Sequence, residues 1–227
     1  MDQGQVMRAL DGEVGALVRG LRGLSEEEWE RSTRCGPWRV RDLLGHVHVV
    51  VGWLPGMLAA PAPPQAEVSA VGYYRPDGRF APQTNAARIG LAQRRASATG
   101  SGDALVDDFA ALWRQVDRVC QDQPRGRVVR TRHGDAMLLS EFLLTRLVEV
   151  AVHGLDLADA LERKPWLTQA AGELLVELLV GPEQAGSVPE LGWDTATFVR
   201  KATGRELLEE HEALRVRRLG LEWLTLG

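Results

Sequence analysis

The segment LLSEFLLTRLVEVAVHGLDLADAL, residues 138–161, decides how the chain is read. Leu139, Phe142, Leu143, Leu147, Val150, Leu157 and Leu161 recur on a helical period, and no breaker follows until Lys164-Pro165. A polar stripe runs through this apolar helix. Arg146, Glu149, His153 and Asp156 are separated by three, four and three residues, so they stack along one face. Glu149 and His153 lie one turn apart and can converge on one atom. A solvated face explains many such stripes, so the rest of the chain has to decide between surface and site.

Working outward, a second apolar stripe runs from Trp38 to about Ala60 through Val40, Leu43, Leu44, Val47, Val51 and Leu54, and Pro61, Pro63 and Pro64 stop it. Its span from Leu43 to Ala60 approaches membrane-crossing length. His46, His48 and Pro55 lie inside it and no second span compensates, so it reads as a buried core helix. Val6, Leu10, Val14, Leu17, Val18 and Leu21 predict a first helix over residues 3–22. Ser25 and Glu28 have capping-box spacing and predict one short helical turn. Leu105, Phe109, Leu112, Trp113, Val116 and Val119 predict an amphipathic helix to about Gln121, and helix-permissive residues 84–98 precede it, so the third long helix is one element or two. Residues 61–83 form a long loop, a candidate lid. Arg127 to Arg132 and the His133-Gly134-Asp135 turn predict only a short ribbon. Beyond Pro165, Leu174 to Leu179 and Thr195 to Ala202 mark two further helices. The expected fold is all-α: a four-helix bundle with a long crossover over residues 1–163, and a short helical C-terminal extension over 164–227.

Composition sets the outer limits. The 227 residues, 44% hydrophobic and 26% charged, are enough to bury a self-sufficient core and exclude a disordered, collagen-like or multi-span membrane chain. A net charge of -4 and a pI near 5.8 give no overall attraction for nucleic acid or anionic lipid. The one dense basic patch, Arg125, Arg127, Arg130 and Arg132, has no interleaved aromatics and reads as a solvated ribbon. Two cysteines make no disulfide framework, and no secretory signal precedes Asp11, so a reducing cytoplasm is expected. Cys35 and Cys120 read as buried spectators. No phosphate loop, Cys-x-x-Cys pair or Gly-x-Ser-x-Gly elbow occurs.

The chemistry emerges where the two stripes face each other. His46 sits among Leu43, Leu44 and Val47, on a face that should be buried. Together with Glu149 and His153 it completes a His₂Glu set, which binds zinc and leaves one position open for water or substrate. His48 competes for the same role, since two residues on it points roughly 200° away around the helix and periodicity alone barely separates the two. His133, in a turn, and His211, in the polar tail, read as surface histidines. Trp53, seven residues beyond His46, is a candidate for the pocket mouth.

The segments Trp38-Arg-Val-Arg-Asp-Leu-Leu-Gly-His46 and Arg146-Leu-Val-Glu149-Val-Ala-Val-His153-Gly-Leu-Asp156 resemble the two signature segments of the mycothiol-dependent maleylpyruvate isomerase family, whose fold is a DinB-like four-helix metalloprotein. The resemblance covers roughly residues 1–163. It implies His46, Glu149 and His153 as ligands of a divalent metal, with zinc the expected ion and His46 chosen over His48. It also implies mycothiol as cosubstrate, its thiol bound and activated by the metal for attack on a small electrophile, in S-transfer or cis-trans isomerisation. Asp156 and Arg146 would then orient the ligands from behind. Arg75, Arg79 and Arg88 are candidates for neutralising a substrate carboxylate. The family's isomerase carries a C-terminal domain that supplies a substrate-binding arginine, and the tail of this chain is expected to be too short for it. The strong preference for Arg over Lys (Lys164 and Lys201 only) matches a GC-rich, actinobacterial source. Two rival functions stand beside the thiol enzyme: a hydrolase using the same metal with a bound hydroxide, and a non-catalytic binding or stress protein. The expected partners are the electrophile and the thiol, with no nucleic acid or membrane, in a monomer or homodimer.

Overall fold

The computed structural model describes residues 2–74 and 81–224. The chain opens with α1 (Gln3–Leu21) and the single turn α2 (Glu26–Trp29). The turn starts at the expected capping box, where Glu28 N donates to Ser25 Oγ at 3.2 Å and Ser25 N to Glu28 Oε2 at 2.9 Å. There follow α3 (Val40–Val51), α4 (Trp53–Ala59), α5 (Ala70–Tyr73), α6 (Pro82–Ser97) and α7 (Gly102–Gln121). A two-stranded antiparallel ribbon, β1 (Val128–Arg130) and β2 (Ala136–Leu138), pairs Val129 with Met137 and leads into α8 (Leu139–Ala160). The C-terminal part holds α9 (Gln169–Val180), α10 (Pro182–Ala185), a 3-10 turn at Val188–Leu191, α11 (Thr195–Ala202) and α12 (Glu210–Arg218).

Four of these helices close a bundle. Helix α8 packs on α1 and α3, and α7 packs on the same two from the other side. The apolar stripes read from the sequence form the interior: Leu10, Leu17, Leu43, Leu44, Phe109, Val116, Leu143, Leu147 and Val150 are all buried. Helix α8 is buried on nearly every side, from Phe142 to Ala158.

The long second helix is in fact two, broken at Gly52. Pro55 lacks the N–H that would bond Val51 O, and its ring crowds that carbonyl, so the helix cannot run through. The run Val40–Ala59 has a mean hydropathy of 1.2 and could cross a membrane by length and composition, yet 56% of that window is buried inside the protein. The third long helix is also two separate elements, α6 and α7, with Ala98 to Ser101 between them. The stretch 61–83 carries α5 and the start of α6, so it is less of a loop than its composition suggested. Its Arg75, Arg79 and Phe80 lie outside the described residues. Helix α12 went unforeseen because Val216 is its sole buried residue and its apolar periodicity is faint.

The C-terminal helices are anchored on the bundle. Helix α9 packs on α1 and α8, and α11 on α9 and α8. At the joint, buried Glu13 of α1 accepts from Thr168 N at 2.9 Å and Thr168 Oγ1 at 2.7 Å, and the Trp166 ring lies where a Cβ on Gly20 would stand, 2.7 Å away.

The approach of α6 to α3 is the tightest helix contact near the two histidines of α3. A Cβ on Gly45 would stand 2.5 Å from Ala92 O and 3.2 Å from Ala96 N, both backbone atoms that cannot swing aside. Gly45→Ala is expected to force the helices apart at a cost of about 1–3 kcal/mol. Urea unfolding, read as a lowered midpoint, measures it.

Candidate metal centre

The facing stripes of α3 and α8 meet at one point. His46 Nε2 lies 3.1 Å from Glu149 Oε2, and His153 Nε2 lies 3.3 Å from the same oxygen. One donor atom from each of the three residues falls within 4.8 Å of the other two. The sequence-expected set is thus brought together, one turn of α8 supplying two members and α3 the third. Trp38, at the end of the loop that leads into α3, stacks on the His46 ring with centroids 4.7 Å apart at 24°. The second histidine of α3 turns away. His48 Nε2 lies 2.9 Å from both Asp108 Oδ2 and Arg95 Nη2, between α6 and α7. Burial and the Arg95 guanidinium push its pKa down to about 4.

Behind the centre, Asp156 is fully buried and accepts from three neighbours. Its Oδ2 lies 3.0 Å from His153 Nδ1 and takes the Cys35 thiol at 3.2 Å. Arg205 donates Nε to Oδ1 and Nη2 to Oδ2, each at 3.3 Å. Arg146 runs along α8 inside the core. Its guanidinium reaches Val50 O at 3.2 Å and Thr145 Oγ1, lies 4.6 Å from the Phe142 ring centroid, and places Nη2 3.8 Å from Glu149 Oε1.

These contacts set the protonation states. Burial pushes His46 down against the pull of Glu149, which favours its neutral form. Burial pushes Glu149 up, but the hydrogen bonds of His153 and His46 and the charge of Arg146 hold it well below the carboxylate range. Burial likewise pushes His153 down, and the hydrogen bonds of Asp156, Cys35 and Glu149 overcome it and raise the imidazole well above its ordinary value. Asp156 is raised by burial and brought far down by His153 and Arg205.

A cavity of about 410 Å³ opens over the three donors. Trp38, Trp53, Tyr73, Tyr74, Val148 and Val152 give it apolar walls, and Asn85, Arg88, Arg132, His133 and Arg205 give it a polar, cationic side. Trp53 and Arg88 both line it. Three other expectations need correction, and a fourth residue was missed. Arg132 is not merely part of a solvated ribbon: the β1–β2 turn swings it into the cavity wall, 4.5 Å over the Trp53 ring. His133 lines the same wall and approaches Tyr73, so it is no plain surface histidine. Cys35 is half-buried rather than a buried spectator, and its Sγ touches Asp156. Arg205, singled out for no role, comes from the tail to the centre. Cys120 is buried as expected, its thiol pushed up to about 12 by burial.

The profile described as the mycothiol maleylpyruvate isomerase N-terminal domain matches residues 10–158. No curated protein matches the chain. Two crystal structures are similar to it. One is that of the mycothiol-dependent maleylpyruvate isomerase, 17% identical with a TM-score of 0.58, over 91% of this chain and 90% of that one. The other, a histidine-to-alanine mutant described under the same enzyme name, is 15% identical with a TM-score of 0.57 over the same shares. The likeness is one of fold, the DinB-like bundle. It also corrects the reading of the tail as too short, because the match spans nearly the whole of both chains.

Asp156→Asn tests the buried cluster in the metal-free protein. Removing one member of a buried charge group is expected to cost about 3 kcal/mol. Asp156 has its pKa lowered, so its contribution is present above 3.8 and lost below. His153 has its pKa raised, so its contribution is present below 6.5 and lost as pH rises through the folded value. The stability gap between wild type and variant, read from denaturation curves across pH, should be widest between these limits and narrow on both sides.

Proposed function

Since this chain belongs to the mycothiol maleylpyruvate isomerase N-terminal domain family, we propose that it is a metal-dependent enzyme that turns a low-molecular-weight thiol, mycothiol, onto a small carboxylate-bearing electrophile, by S-transfer or thiol-assisted isomerisation. The observation that carries this reading is the convergence of His46, Glu149 and His153 beneath a cavity whose other side is cationic.

The donor set suits a divalent ion, zinc first among them. Two imidazole nitrogens and one carboxylate are the ligands of open catalytic zinc sites. His46 is neutral and Glu149 ionised, the forms a metal requires. Asp156 holds His153 through Nδ1, so the Nε2 edge faces His46 and Glu149 once its proton leaves. A cation held there would lower the pKa of a sulfhydryl entering the open position and so supply a thiolate at neutral pH.

The remaining residues bind and orient. The Trp38 ring fixes the plane of His46, and Arg146 fixes Glu149 from below. Trp53, Tyr73 and Tyr74 shield the cavity from water. Arg132 has no carboxylate partner among the described residues and is spread over Trp53, which leaves its N–H edge available to a substrate carboxylate.

Metal analysis and turnover test this together. The purified protein is expected to hold about one divalent ion per chain, His46→Gln and Glu149→Gln to lose it, and His48→Gln to keep it. Conversion of maleylpyruvate, or of another small unsaturated acid, should require mycothiol. Arg132→Met should raise KM about tenfold or more, the worth of a charge-assisted hydrogen bond of about 1.5–3 kcal/mol. Turnover without any thiol would select the hydrolase instead, and a protein that stays metal-free when zinc is supplied would sink both.

A further inference from the structure

His153 has two ring nitrogens, and the proposed centre uses one. On the opposite edge of the ring, Nδ1, Asp156 Oδ2 and Cys35 Sγ form a second triangle of donors, with edges of 3.0 Å (Nδ1 to Oδ2), 3.2 Å (Sγ to Oδ2) and 4.0 Å (Sγ to Nδ1). A tetrahedral ion bound at about 2.0–2.1 Å by nitrogen and oxygen and about 2.3 Å by sulfur spaces its donors by about 3.4–3.6 Å. The observed edges straddle that range, and all three atoms lie within 4.8 Å of one another. Neither Cys35 nor Asp156 lines the cavity, so this triangle belongs to the rear of the site. The half-exposed Cys35 gives an ion a way in from solvent.

We propose that Cys35, His153 Nδ1 and Asp156 form a second cation subsite, selective for soft, thiophilic divalent ions. The front set offers only nitrogen and oxygen, whereas the rear set adds a thiolate, the ligand that soft metals prefer. Binding there releases the Cys35 thiol proton and the Nδ1 proton to solvent, and the thiolate and Asp156 carboxylate balance the two charges of the ion. Arg205 holds Asp156 Oδ1 through its Nε, and an ion at Oδ2 displaces the second bond, from Arg205 Nη2. The ring retains its proton on Nε2, 3.3 Å from Glu149 Oε2. That nitrogen then has no lone pair for the front set. A thiophilic ion behind His153 therefore competes with any ion in front of it, through one imidazole. Only this competition rests on the proposed metal centre; the subsite itself uses neither His46 nor Glu149.

Titration of the metal-free protein with cadmium chloride, followed by thiolate-to-cadmium charge-transfer absorption in the ultraviolet, reads the subsite directly. Wild type and His46→Gln are both expected to develop the band to saturation at one equivalent. Cys35→Ser, which keeps the side-chain size and a donor to Asp156, should lose it while circular dichroism confirms an intact fold. A wild type without the band, or a Cys35→Ser protein that retains it and so assigns the thiolate to Cys120, overturns the subsite. In zinc-loaded wild type one equivalent of cadmium should displace most of the zinc, and in Cys35→Ser it should not. Zinc retained beside a full cadmium band overturns the competition, and a zinc-free protein that still shows the band refutes the front centre alone.

Discussion

A carboxylate with no exposure, Asp156, sits in α8, the helix packed on α1, α3, α9 and α11. An ion in that position is costly unless donors surround it, and α8 can provide just one of them, His153, at the next turn. The others must come from distant chain. Cys35 arrives on the loop before α3, which is closed on itself by Thr33 N and Thr33 Oγ1, both donating to Trp38 O. Arg205 arrives from the other end of the sequence. Its loop is held in turn by buried Lys201, which pairs with Glu206 at 2.7 Å and Glu212 at 2.8 Å. The early loop and the C-terminal helices are thus tied to the same two oxygens, and the centre is assembled only when both ends of the chain are in place.

Arg146 meets the same constraint differently. Its guanidinium is 1% exposed, and its donors are met by Val50 O, Thr145 Oγ1 and Glu149. The break at Gly52 interrupts the helical hydrogen-bond ladder over the last carbonyls of α3. Arg146 satisfies one of them, and the rings of Phe142, Trp53 and Tyr73 cover its faces. The broken helix and the buried arginine answer each other, and the cavity wall at Trp53 follows from where the second half of the helix then points.

Periodicity made the helical part of this legible. Glu149, His153 and Asp156 share a face because three- and four-residue steps allow nothing else, and His46 is buried because its neighbours are apolar. The choice between His46 and His48 lay beyond periodicity and came from the resemblance; in the structure His48 is taken up by Arg95 and Asp108. What the sequence hid arrives on loops. Cys35 and Asp156 are 121 residues apart, and Arg205 and Asp156 are 49 apart; no repeat length encodes such contacts. The ribbon turn was recognised at His133-Gly134-Asp135, but which way Arg132 and His133 face depends on how the ribbon packs against α4. The nearest thing to a signal for Cys35 was its position three residues before Trp38, in a segment already singled out. The break at Gly52 was readable from Pro55 and was outweighed by the unbroken apolar stripe on either side.

The charge of His153 explains why this cluster holds together without help. Its raised pKa places a proton between Glu149 and Asp156, so the imidazolium itself acts as the cation of the site. An ion entering on the Nε2 side would replace that proton rather than fill an empty space between carboxylates. Its binding would be coupled to proton release, with affinity falling in acid, where the proton competes. The exchange also raises the charge of the floor by just one unit, while Glu149 and Asp156 stay ionised beneath it. With Arg132 and Arg205 on the wall, the cavity above such a floor favours a molecule that brings negative charge with it.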